Sequence, residues 1–151
     1  MNPSNDKQIR PPRLHPGDTI GIVDPYSPID KSVFDQSLNI MESMGFRTVV
    51  PHGVFERNGY LAGSDAHRAK LVASLFKDPD VNAIVCAKGG FGCLRILPLL
   101  NFDVMRANPK VFIGHSDITA LLAAITAQSG LVTFHGPLVT TLAVAPEFTR
   151  H

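Results

Sequence analysis

Short unbroken apolar runs alternate along this chain with longer stretches whose apolar positions recur every three or four residues. Thr19-Ile20-Gly21-Ile22-Val23 reads as a buried strand closed by Asp24-Pro25. From about Lys31 to Met44, Val33, Phe34, Leu38 and Met41 fall on one helical face, with Asp30 placed to cap the start and Gly45 to end it. Phe46 to Val50 predicts the second strand. After a loop over 51–63, Ser64 or Asp65 caps a helix to about Lys77 with Ala69, Leu71, Val72, Leu75 and Phe76 inward. Val81 to Ala87 is the third strand; it runs into Lys88-Gly89-Gly90-Phe91-Gly92 and a helix carrying Leu94, Ile96, Leu97 and Leu100. Val111-Phe112-Ile113 is the fourth, followed by Gly114-His115-Ser116-Asp117 and a helix from Ile118 to Gln128. Leu131 to Phe134 makes a final strand before His135-Gly136-Pro137, and no element is foreseen beyond Leu142.

Strands that are continuously apolar, alternating with amphipathic helices, predict an α/β fold: a doubly wound, mostly parallel sheet with helices on both faces. Ligands of such sheets gather beyond the carboxyl ends of the strands. Here those ends are Asp24, Lys88 to Gly92, Gly114 to Asp117 and His135 to Pro137. The expected organisation is a flexible lead-in over 1–12, one domain over 13–142, and a tail or linker over 143–151.

Composition narrows the classes. The chain has 151 residues, 14 basic and 13 acidic, for a net charge of +1. A domain of this length buries roughly 70% of its unfolded surface. An apolar fraction of 44% with 18% charged residues excludes a disordered or fibrous chain. Near-neutral charge gives no footprint for nucleic acid or an anionic membrane. No apolar run approaches the ~20 residues of a membrane helix, and the polar start with Pro11-Pro12 is no signal peptide. Cys86 and Cys93 alone make neither a disulfide framework nor a zinc site. The expectation is a reduced, soluble, intracellular protein without metal or cofactor.

Ser116 is the most informative residue. A serine on a tight strand-to-helix turn, with a small residue two positions before it, points its hydroxyl out of the sheet toward a helix N-terminus, where developing negative charge is favoured. Two readings stand side by side: a nucleophile, or an N-cap with Asp117 complementing the helix dipole. The Gly89–Gly92 turn likewise reads either as main-chain N–H groups offered to a phosphate or an oxyanion, or as a plain tight turn. It lacks the spacing of a dinucleotide fingerprint and of a Walker lysine motif. His15, His52 and His67 read as surface residues, and no metal-binding His spacing occurs. His135 ends a strand on the ligand side, whereas His115 is too close in sequence to serve Ser116 as a base. The glutamates, Glu42, Glu56 and Glu147, lie at no predicted strand end, so no Ser–His–acid relay assembles within the chain.

The stretches Leu14 to Val23, Gly59 to Asp65, Ala87 to Gly92, Ile113 to Thr119 and Phe134 to Pro137 together resemble the N-terminal half of the LD-carboxypeptidases, the serine peptidases of family S66 that include the microcin C immunity protein. The resemblance covers residues 13 to 142. It implies a doubly wound N-terminal domain similar to class I glutamine amidotransferases, in cytoplasmic two-domain enzymes that form homodimers. It implies Ser116 as nucleophile, the backbone N–H groups of Gly90 and Asp117 as the oxyanion hole, and Gly89, Phe91 and His135 on the substrate side. Lys88, Phe91 and His115 stand where the family more often carries arginine, tyrosine and another aromatic.

The resemblance further implies a catalytic Glu and His contributed by a C-terminal domain outside this sequence, leaving residues 1–151 almost inactive alone. The family reaction removes the terminal D-alanine of a murein tetrapeptide during cell-wall recycling. The alternatives are hydrolysis of aminoacyl-adenylate analogues, as in the immunity branch, and a non-catalytic binding or dimerisation domain. An α/β half of this kind exposes an apolar patch, so concentration-dependent dimerisation is expected.

Overall fold

The computed structural model describes residues 8–25 and 31–145. Five strands form one sheet in the order β2-β1-β3-β4-β5, every neighbouring pair parallel. β1 is Thr19–Val23, α1 Lys31–Ser43, β2 Arg47–Val49, α2 Asp65–Lys77 and β3 Ala83–Cys86. Then come α3 Cys93–Ile96, α4 Phe102–Ala107, β4 Val111–Gly114, α5 Thr119–Ser129, β5 Phe134–His135 and α6 Val139–Leu142. The doubly wound α/β expectation holds. The chain turns left from β1 to β2 and right from β1 to β3, which makes the gap between β1 and β3 the topological switch point.

Strand periodicity divides the core into two layers. Val23, Ile84, Cys86 and Phe112 point to the face covered by α2 to α5, while Ile20, Ile22, Ala83, Val85 and Val111 point to the face covered by α1 and α6. On the first face Phe76 of α2 stacks on Phe112, ring centroids 5.8 Å apart. Both faces of β1 and β3 are buried, hence their unbroken apolar sequences.

The structure differs from the sequence reading at several elements. The final strand is not Leu131 to Phe134 but Phe134–His135, because Leu131 instead bridges Ile9, whose N–H donates to the Gly130 carbonyl at 2.9 Å. Ile9 belongs to the expected lead-in, and this pairing anchors it. The helix after the glycine turn is a single turn continued by a 3-10 segment over Leu97–Leu99, with Ile96 buried and Leu94 66% exposed. Pro98 inside that segment has no N–H for an α-helical ladder. Two short helices, α4 and α6, were not foreseen; α4 opens on Asn101, whose Oδ1 accepts from the N–H groups of Asp103 and Val104.

Ser64, one of the two expected caps of α2, accepts from His67 N–H at 3.1 Å. His67 is partly exposed: its side chain is 20% accessible and its Nε2 lies 3.0 Å from the Gly53 carbonyl. Asp30, expected to cap α1, lies outside the described residues.

Candidate active site

Strand β4 ends in Gly114, and the backbone turns at once into a 3-10 turn, Ser116–Ile118, that feeds α5. Gly114 is needed there sterically. A Cβ on it would sit 2.5 Å from Ile118 Cγ2, within the turn that folds back over it. Ser116 adopts φ +61°, the only positive φ of a non-glycine residue among those described. A side-chain-bearing residue held there costs ~1–3 kcal/mol, which the surrounding structure must impose. Such strain at a serine between strand and helix is the geometry of a nucleophile elbow, and it leaves Ser116 exposed at the carboxyl edge of the sheet.

The N-cap reading of Ser116 does not match this geometry. His115, in extended conformation, occupies the cap position of the turn, and α5 opens without any side-chain cap bond. The N–H of Ile118 closes the turn on the His115 carbonyl at 3.3 Å. The N–H of Asp117 lies one residue ahead of that bond, among the helix-start donors that have no carbonyl behind them.

The glycine turn after β3 comes directly against this elbow. A Cβ on Gly89 would lie 3.1 Å from Ser116 Cβ and 3.5 Å from the His115 carbonyl, so a side chain there would push the elbow back by a few tenths of an ångström. Gly90 is half-buried, and Phe91 projects outward at 79% exposure. Asp117 braces the same turn from the other side, its Oδ2 accepting from Cys93 N–H at 2.9 Å. The structure therefore sets Gly89 against Ser116 and ties Asp117 to the residue after the glycine turn, with Gly90 in the turn between.

The His residues near Ser116 are arranged differently. His115 Nδ1 donates to the Gly136 carbonyl at 3.2 Å, and its ring centroid is 6.0 Å from that of the exposed His135. Among the described residues no imidazole or carboxylate hydrogen-bonds to the Ser116 hydroxyl. The thiols are poor competitors as nucleophiles. Burial, then the hydrogen bond with Asp117, pushes the Cys93 thiol far up, and burial followed by the nearby Asp24 does the same for Cys86. No group of three or more His, Cys, Asp or Glu able to hold a metal ion occurs among the described residues. No helix among them is long and apolar enough to cross a membrane.

Sequence reasoning missed one cluster. Arg68 of α2, fully buried, donates through Nη1 to the carbonyls of Pro25 and Gly92, the latter at 3.2 Å, and through Nη2 to Asp65. Asp65 also accepts from Arg95 of α3 at 3.0 and 3.1 Å. The signal was present: Arg68, Val72 and Leu75 share a helical face by i, i+4, i+7 spacing, which turns position 68 inward.

Residues 20–136 match the LD-carboxypeptidase N-terminal domain. Over 132 residues the chain is 42% identical to a probable murein peptide carboxypeptidase of Bacillus subtilis, covering 87% of this chain and 41% of that protein. It is 36% identical to the microcin C7 self-immunity protein MccF of Escherichia coli, over 89% of this chain and 39% of that one. The crystal structure of an MccF-like protein from Bacillus anthracis superposes with a TM-score of 0.88 at 30% identity, covering 91% of this chain and 43% of that chain. The chain thus spans about two-fifths of the length of the curated relatives it matches. With a strained serine elbow set against a glycine turn on a five-stranded parallel sheet, and with this match over most of its length, the chain belongs to the LD-carboxypeptidase family, in the region of that family's N-terminal domain.

Proposed function

We propose that this chain is the nucleophile-bearing part of a serine carboxypeptidase that hydrolyses the L,D-peptide bond before the terminal D-alanine of murein tetrapeptides, in the cytoplasmic recycling of cell wall. The observation that carries this reading is Ser116 at φ +61° on the β4–α5 elbow, exposed and in contact range of Gly89. Ser116 Oγ attacks the amide carbonyl carbon while its proton passes to a general base. The carbonyl oxygen becomes an oxyanion that accepts from the N–H groups of Gly90 and Asp117, each such donor being worth ~10²–10³ in rate. The C–N bond then breaks, the D-alanine amine takes the proton and leaves, and water hydrolyses the acyl-enzyme.

Gly89, Phe91 and His135 border the substrate in this reading. The base, a histidine oriented by a glutamate, comes from the portion of the relatives' length that this chain does not span. Residues 1–151 alone then turn over slowly at best, because losing the base removes most of the rate. Phe91 and Leu94, at 79% and 66% exposure, suit burial against a second surface, and a homodimer belongs to the proposal.

The test is release of D-alanine by the protein as its gene encodes it. A murein tetrapeptide ending in D-alanine should be shortened, the same peptide ending in L-alanine should not, and Ser116→Ala should abolish release. Absence of release, or release unchanged in Ser116→Ala, contradicts the proposal. The similarity to MccF supports a second reading, in which the same serine cleaves an aminoacyl-adenylate analogue. Preferential turnover of such an analogue over the tetrapeptide would favour it.

A further inference from the structure

Arg68 is the one fully buried cation at the carboxyl end of the sheet among the described residues. A buried guanidinium carries a large desolvation cost, and a well-packed apolar side chain in its place is often no less stable. Its Nε, moreover, has no hydrogen-bond partner among the described residues. Stability alone therefore gives a weak reason for an arginine here; its partners give a better one. The Pro25 and Gly92 carbonyls belong to the segments leaving β1 and β3, on the two sides of the switch point. One guanidinium ties both to α2, and Asp65 fixes that guanidinium in turn while gripping Arg95 just past the glycine turn.

The turn itself has little to hold it. Three of its four residues from Gly89 to Gly92 are glycine, and the fourth side chain, Phe91, points into solvent. Gly92 is held by its carbonyl on Arg68, and the next residue, Cys93, by its N–H on Asp117. Gly90 lies two residues before the Arg68 contact.

We infer that Arg68 is a positioning residue for the oxyanion hole: by holding the Gly92 carbonyl against the segment that leaves β1, it keeps the Gly90 N–H in place opposite Ser116. The inference rests on the serine-hydrolase reading above and adds to it a residue that touches no substrate. A planar fork with several donors can hold two carbonyls and a carboxylate at once, which a lysine ammonium cannot do with the same geometry.

The experiment compares Arg68→Met, Arg68→Lys and a matched control, Lys110→Met, in the protein as its gene encodes it. Lys110 is also a buried cation hydrogen-bonded to two carbonyls, those of Asp78 and Val81, but it sits at the opposite end of the sheet. For Arg68→Met the expected result is a loss of ~10²-fold in kcat with KM changed by less than about twofold, the pattern of a transition-state contact displaced by a fraction of an ångström. The rate of Ser116 acylation should fall by the same factor, Arg68→Lys should recover part of it, and amide exchange over 88–93 should accelerate. Lys110→Met should lower stability yet keep kcat within about twofold.

The inference is overturned if folded Arg68→Met keeps kcat within about twofold, or if Lys110→Met loses as much. If Arg68→Met does not fold, Arg68→Lys decides: a kcat equal to wild type overturns the inference. Unchanged exchange over 88–93 with D-alanine release intact in wild type defeats this inference alone. A wild-type protein that neither releases D-alanine nor acylates at Ser116 defeats the hydrolase reading, and the catalytic role of Arg68 with it.

Discussion

Replacing Ser116 by glycine removes both its hydroxyl and the steric cost of its left-handed backbone. Glycine populates φ +61° freely, so Ser116→Gly should stabilise the fold by ~1 kcal/mol, raising Tm by roughly 2–4 °C, while activity is lost. Ser116→Ala keeps a Cβ at the same φ and should leave Tm unchanged. Differential scanning calorimetry of the two variants checks this, and equal melting points would deny that position 116 is strained. Gly114 offers the converse case. A methyl group there meets Ile118 at 2.5 Å, so Gly114→Ala should cost ~1–3 kcal/mol and disturb the turn that carries Ser116. Denaturant titration should show the stability loss, and the rate of D-alanine release should fall beyond what that loss explains. None of this backbone geometry is written in residue types. The serine was legible as a candidate because a glycine and a strand precede it, but its φ follows only from the packing of Ile118 and the approach of Gly89.

At the level of elements, α2 and α3 are joined by the Asp65 carboxylate between two guanidiniums. The hydrogen bond from Arg95 chiefly, and that from Arg68, hold the Asp65 carboxyl below the usual aspartate range. A depressed carboxyl contributes stability that is fully present above the unfolded-state pKa, about 3.9, and is lost as pH falls through the lower folded-state value. Wild type should therefore lose Tm through that acid window more steeply than Asp65→Asn, the two curves converging at low pH. Parallel curves across the window would remove Asp65 from the account.

Elements whose burial is continuous were legible: β1, β3, β4 and the long face of α2 each announce themselves by apolar runs or by 3.6-residue spacing. The shorter ones were obscured by tertiary choices. Leu131 is as apolar as a strand residue, yet it pairs with Ile9, so β5 begins three residues later. α4 is only six residues long with Met105 its one buried side chain, and it is fixed by packing against α2 and α5, which no local pattern reveals. Arg68 was passed over because a basic residue in an amphipathic helix is usually solvated.

On the scale of the whole molecule, a sheet covered on both faces delivers two glycine-containing turns to one edge, and the core behind them sets how rigidly they are held. Phe76 and Phe112, both fully buried, stack in the layer that also supports Ile118 under the elbow. Phe76→Ala should cost ~3–5 kcal/mol, a large share of the 5–15 kcal/mol that a domain commands, and urea denaturation should show a clear drop in midpoint. A change under about 1 kcal/mol would mean that this layer is not what bears the fold. The architecture was legible in the alternation of strands and helices, and the family in five short stretches that meet largely at the carboxyl edge. What joins those stretches, the Arg68 clamp and the contact between Gly89 and Ser116, exists only in three dimensions. The most direct measurement is peptide mapping of the protein, as its gene encodes it, after treatment with a fluorophosphonate. A single adduct on Ser116, absent from Ser116→Ala, is the expected result; labelling at another residue, or none at all, would contradict the assignment of the nucleophile.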